Sequence, residues 1–113
     1  MKWKIEDFDK EDGVLISLIN SFPNIEFLSL CQKLLNNVSF GWNVYSVSFT
    51  VDEERNEVVS AYLNVGENSE VSIMQKSKMV HYLKAACEVY LSRHPQDSML
   101  LKRVFEKSGY FLY

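Results

Sequence analysis

Residues 44–75, VYSVSFTVDEERNEVVSAYLNVGENSEVSIMQ, pass from apolar–polar alternation into a burst of charge, back into alternation, and into charge again. A period of two is the mark of a strand with one buried face. Tyr45, Val47, Phe49 and Val51 fall on one side, with Val44, Ser46, Ser48 and Thr50 opposite. Val59, Ala61, Leu63 and Val65 repeat the pattern against Val58, Ser60, Tyr62 and Asn64. DEERNE supplies turn residues between the two runs, which predicts a hairpin. GENS is a second turn, and Val71 with Ile73 mark a shorter third strand, giving a three-stranded antiparallel meander.

Outside this stretch the period is helical. Val14, Leu15, Leu18 and Ile19 recur at helix spacing, with Asp9, Glu11 and Asp12 in the first turn where the helix dipole favours negative charge. That helix stops near Ser21, before Pro23. Asn24 stands at an N-cap position, and Ile25, Leu28, Cys31, Leu34 and Leu35 form the stripe of a second helix. A third starts near Ser77 and buries Met79, Val80, Leu83, Ala86, Cys87, Tyr90 and Leu91, with Pro95 ending it. A fourth, from about Asp97 to Lys107, presents Leu100, Leu101, Val104 and Phe105 before Gly109. The expected fold is α+β: two N-terminal helices, a three-stranded antiparallel meander and two C-terminal helices in one domain, residues 1–113.

A length of 113 residues suits one hydrophobic core, and 47% hydrophobic with 24% charged residues is a globular composition. The N-terminal MKWKIEDFDKEDGV lacks the apolar segment of a signal peptide, and no apolar run reaches the roughly 20 residues of a membrane helix. A cytoplasmic protein without a membrane partner is expected. Cys31 and Cys87 read as buried, reduced thiols, since their separation fits no metal spacing.

Catalysis has no visible carrier. His81 and His94 lack sequence neighbours that would complete a triad or a metal set, and the four glycines are isolated, so no phosphate loop forms. The abundant carboxylates fall in turns, where water denies them the burial a general acid needs. No cofactor and no metal are expected, and the protein reads as a non-enzyme.

Charge is more informative. Residues 1–70 carry 12 acids against five bases, whereas residues 71–113 carry three acids against seven bases, within a net charge of −3. Nucleic acid is thereby disfavoured as a direct partner, because phosphate binding needs clustered cations. An acidic surface instead steers toward a basic protein. Asp52, Glu53, Glu54 and Glu57 in the first link and Glu67 and Glu70 in the second are the candidate contacts, with Tyr62 as an aromatic anchor between them. A solvated turn explains the same acids equally well. A second acidic group, Glu6, Asp7, Asp9, Glu11 and Asp12, is the rival surface, and its ordinary reading is a helix start.

One segment carries a resemblance. MVHYLKAACEVYLSRHPQD, residues 79–97, following a strand that ends EVSIM, resembles the C-terminal helix of small bacterial ribonuclease-toxin immunity proteins from contact-dependent growth inhibition systems. The earlier FLSLCQKLLNNVSFGW, residues 27–42, is similar to a segment that precedes the acidic sheet in that family. The resemblance covers roughly residues 27–97, and the first 25 residues match nothing comparable. It implies a cytosolic inhibitor that binds a cognate toxin nuclease domain and blocks its basic surface. A structural or adaptor domain that homodimerises through its sheet edge or the terminal YFLY is the alternative.

Overall fold

In the computed structural model of the chain, which describes residues 8–112, the alternating stretch and the FGW before it form four antiparallel strands, not three. They are β1 (Phe40–Trp42), β2 (Tyr45–Val51), β3 (Glu57–Val65) and β4 (Asn68–Gln75), paired in chain order. The added strand is β1, whose three residues are too few to show a period. Asn43 makes it possible: its φ of 56° lies in the left-handed region that Asn tolerates, and it closes Trp42 onto Tyr45. Phe22 then anchors the strand, 4.5 Å from Trp42 and 6.4 Å from Phe40 between ring centroids. β4 also exceeds Val71–Ile73, because only Gly66 and Glu67 separate the paired Val65 and Asn68. Gly66, at φ 60°, supplies the positive φ that such a two-residue loop requires.

The helices are α1 (Gly13–Ser21), α2 (Phe27–Leu35), α3 (Lys76–Arg93) and α4 (Ser98–Lys107). Single 3-10 turns at Lys10–Asp12, Asn24–Glu26 and Pro95–Asp97 lead into α1, α2 and α4. Two expectations change with them. Asn24 opens a 3-10 turn instead of capping α2, and Ile25, predicted in the buried stripe, is 93% exposed because the tighter turn rotates it off that face. Leu100, expected to pack inward, is 46% exposed between Leu101 and its groove.

Helix residues such as Leu15, Leu18, Phe27, Leu34, Leu83 and Phe105 join Tyr45, Val47, Val59, Ala61 and Met74 in one buried cluster. All four helices therefore share the inner side of the sheet. Three polar ties reinforce the packing. Ser72 Oγ accepts from Val14 N at 2.9 Å and donates to Glu11 O at 2.8 Å, satisfying an unpaired amide of the first helical turn of α1. The buried Lys76 ammonium donates to Leu35 O at 2.7 Å at the end of α2, with the Tyr110 ring 5.3 Å away. Cys31 and Cys87 are free and buried with their sulfurs 4.0 Å apart, and burial pushes the Cys31 thiol up.

Tyr90 closes the fourth tie and yields a test. Its ring lies 4.6 Å from both Phe27 and His94, and its hydroxyl donates to Asp97 Oδ2 at 2.6 Å. Burial, then the Asp97 carboxylate, pushes the phenol from 10.0 up to about 12. The folded chain thus holds this proton longer than the unfolded chain, so the contribution is complete below pH 10 and disappears as pH rises toward about 12. Thermal melts between neutral pH and the alkaline limit should show a gentler alkaline decline for Tyr90→Phe than for the natural chain.

Candidate functional site

The predicted contacts divide into groups with different work. Asp52 is bound to its own turn: Oδ1 accepts from Glu54 N at 2.9 Å and Asn56 N at 2.8 Å. The loop is closed by Arg55 at φ 66°, whose amide donates to Asp52 O at 3.0 Å. This is the local side-chain turn that Asp favours, so Asp52 shapes the hairpin end while Glu53 and Glu54 stand exposed at its tip. Glu57 lies outside the turn as the first residue of β3. Its Oε2 is 3.5 Å from Lys76 Nζ and its Oε1 accepts from Asn37 Nδ2 at 3.2 Å, on the helix side of the sheet. Glu67 is exposed at the opposite loop, and Glu70, paired with Leu63, belongs by alternation to the helix side.

The two loops sit at opposite ends of β3. The strand has nine residues, so its ends lie about 27 Å apart at strand rise. What joins them is the outward face. Its rows are Ser46–Tyr62–Val71, Ser48–Ser60–Ile73 and Thr50–Val58–Gln75, with Asn64 and Ser69 beyond. These positions carry no charge. Tyr62 is 37% exposed, Val71 45% and Ile73 59%, with Val44 beside them at 38%. Among the described residues no helix covers them.

The outward position of Tyr62 was legible; Val71 and Ile73 as its neighbours were not. Both are apolar strand residues that sequence assigns naturally to a core. The register from the Gly66–Glu67 loop turns them outward and gives the inner positions to Ser72 and Met74. The signal was present in the alternation Ser69, Val71, Ile73 once the loop is counted as two residues.

Of the rival acidic group, the described members have separate roles. Asp12 is 1% exposed, and Asp9 meets Lys78 Nζ at 2.7 Å, which leaves Glu11 exposed. Glu6 and Asp7 lie outside the described residues. In the C-terminal YFLY, Leu112 is buried, Phe111 is 70% exposed and Tyr113 lies outside the described residues. His81 is exposed and His94 stacks on Tyr90. Among the described residues no three His, Cys, Asp or Glu side chains converge as a metal site, and no single helix is long and apolar enough to cross a membrane.

An open, uncharged sheet face with acids at both ends has the anatomy of a protein interface: an apolar centre and a polar rim. Comparison with known proteins gives this anatomy a context. The sequence profile of a family described as CDI immunity protein matches residues 10–105. Among solved structures, an immunity protein from Neisseria meningitidis MC58 shares the fold, with a TM-score of 0.66 over 87% of this chain and 85% of that one at 15% identity. No curated protein matches the sequence.

Proposed function

The chain belongs to the CDI immunity protein family, and from that premise we propose that it binds and neutralises a cognate ribonuclease toxin domain through the outward face of its sheet. The protein acts as a stoichiometric inhibitor inside the cell that makes it, without catalysis. The carrying observation is the uncovered face of Tyr62, Val71 and Ile73, uncharged at its centre and ended by Glu53 and Glu54 on one side and Glu67 on the other.

Area favours a joint surface over a single tip. The 27 residues of the four strands, each about 3.3 Å by 4.8 Å in plan, offer roughly 400 Å², half of the about 800 Å² each partner contributes to a stable interface. Adding the acidic loops brings the patch toward that size. The chemistry is complementary as well. A nuclease presents Lys and Arg to phosphate, and carboxylates at the rim of an apolar patch pair with those cations and occupy the place of the substrate's charge.

Glu53 and Glu54 are therefore steering residues. Glu53→Lys with Glu54→Lys should slow association with the toxin domain about tenfold at low salt and flatten its salt dependence, with a much smaller change in dissociation. Asp52 and Arg55 hold the loop, so circular dichroism and melting should stay native. Stopped-flow binding at several salt concentrations, beside growth protection by the variant, is the measurement. Unchanged association and full protection would remove the hairpin end from the interface.

A further inference from the structure

A second surface has the opposite charge. Between α2 and α4 runs a groove of about 430 Å³ whose apolar lining comes from Leu28, Val38, Leu100 and Val104. Val38 and Leu100 are each 46% exposed, so the floor meets water. Around it stand Lys33, Arg103 and Lys107, and no carboxylate lines the groove. Among the described residues none of the three is in an ion pair: the ion pairs run from Lys76 and Lys78, and Lys33 lies 5.2 Å from the Phe40 ring. An acidic chain has thus gathered three cations outside any ion pair among the described residues round a partly exposed aliphatic floor, a combination that ordinary solvation of helix faces does not require.

The charge and shape select an occupant. A phosphate backbone would use the cations and leave the aliphatic floor wet. A small amphiphile is normally enclosed over most of its surface, whereas this groove opens along one side between two helices. A helix with one apolar stripe flanked by carboxylates fills the floor and pairs the rim at once. Along α4, Leu100 with Val104 and Arg103 with Lys107 are each one turn apart, so the apolar and cationic rows run side by side. We propose that the α2–α4 groove docks an acidic amphipathic helix of a second protein, two to three turns long, with carboxylates meeting Lys33, Arg103 and Lys107. The groove is on the helix-covered side, away from Tyr62 and Ile73, so it stays open when the sheet face is occupied. The inference does not rest on the toxin reading.

The test uses the whole protein and a synthetic helical peptide of about 14 residues, with Leu at i, i+3, i+4 and i+7 and Glu flanking them, and a twin carrying Lys for Glu. Amide chemical shifts and fluorescence anisotropy report place and affinity. The acidic peptide should perturb residues 28–38 and 100–107, and Arg103→Glu with Lys107→Glu should weaken it at least about tenfold while letting the Lys twin bind. Should the double reversal unfold, Arg103→Gln with Lys107→Gln and Lys33→Gln serve, with a smaller loss in the same direction. Scattered shifts, equal binding of the twins, or no binding at millimolar peptide overturn the proposal. It is equally overturned if decanoate alone saturates the groove amides, or if the free chain self-associates through them in sedimentation.

Discussion

Tyr62→Ala combined with Ile73→Asp should weaken binding of the cognate toxin domain at least 100-fold and abolish growth protection, while the chain still folds cooperatively with a stability loss of about 1–2 kcal/mol. The magnitude follows from position. Central aromatic and aliphatic side chains cost about 2 kcal/mol or more each when truncated at an interface, and 1.4 kcal/mol is a factor of ten. Tyr62 and Ile73 are diagonal neighbours on adjacent strands, on a face without charge, so a carboxylate there meets an apolar partner surface with nothing to pair it. The stability loss stays limited because both side chains reach water, Tyr62 at 37% and Ile73 at 59% exposure, so only the covered part of each and its strand propensity are lost. Dissociation should quicken, in contrast to the slower association expected of the Glu53 and Glu54 reversals. Competition binding against the natural chain measures it, and wild-type affinity in a folded variant would place the interface elsewhere.

That contrast between centre and rim shows what the sequence could carry. Alternation over residues 44–65 and helical spacing over 77–91 located the hairpin and the long helix, because long periodic segments average out single exceptions. Short elements escaped. Phe40–Trp42 pairs with Tyr45–Val47 only because Asn43 accepts a left-handed backbone, a local choice that no period announces. The acids were visible, but their roles depended on a register read one residue at a time. Glu57 and Glu70 fall on the helix side, Asp52 spends an oxygen on backbone amides, and Glu53, Glu54 and Glu67 are left at the loops. A one-residue change in the corresponding loop would turn Glu57 or Glu70 to the other face. The basic groove was less legible still. Its cations come from α2 and α4, far apart in the chain, and each alone reads as a solvated helix face.

Asp12 is where that misreading should have its largest consequence for stability. Counted from sequence as one of several acids at a helix start, it is 1% exposed, and its Oδ2 accepts from Tyr82 OH at 2.6 Å and from Lys78 Nζ at 2.7 Å. Lys78 also reaches Asp9, so one cluster fastens the 3-10 turn at Lys10–Asp12 to α3. Among the described residues Oδ1 of Asp12 has no hydrogen-bond partner, which makes the carboxylate costly to bury and leaves Oδ2 to balance that cost. Asp12→Ala should therefore lower stability by about 3 kcal/mol, since it strands a buried Tyr82 hydroxyl and cuts the anchor. For a domain of this size the melting temperature should fall by roughly 10 °C. Asp12→Asn keeps an acceptor for Tyr82 and loses the charge, so its deficit should be smaller. Its pH dependence separates the two contributions. Hydrogen bonding to Asp12, then to Asp9, raises the Lys78 ammonium above 10.5, and burial, then Asp12, raises the Tyr82 phenol above 10.0. Both groups hold protons longer in the folded chain, so what they contribute is complete below about pH 10 and is lost as pH rises through their folded values. The gap between Asp12→Asn and the natural chain should accordingly narrow in alkaline melts. A gap that stays constant from neutral pH to pH 11 would mean that Asp12 acts by packing alone, and a wild-type melt for Asp12→Ala would mean that the turn is held without it.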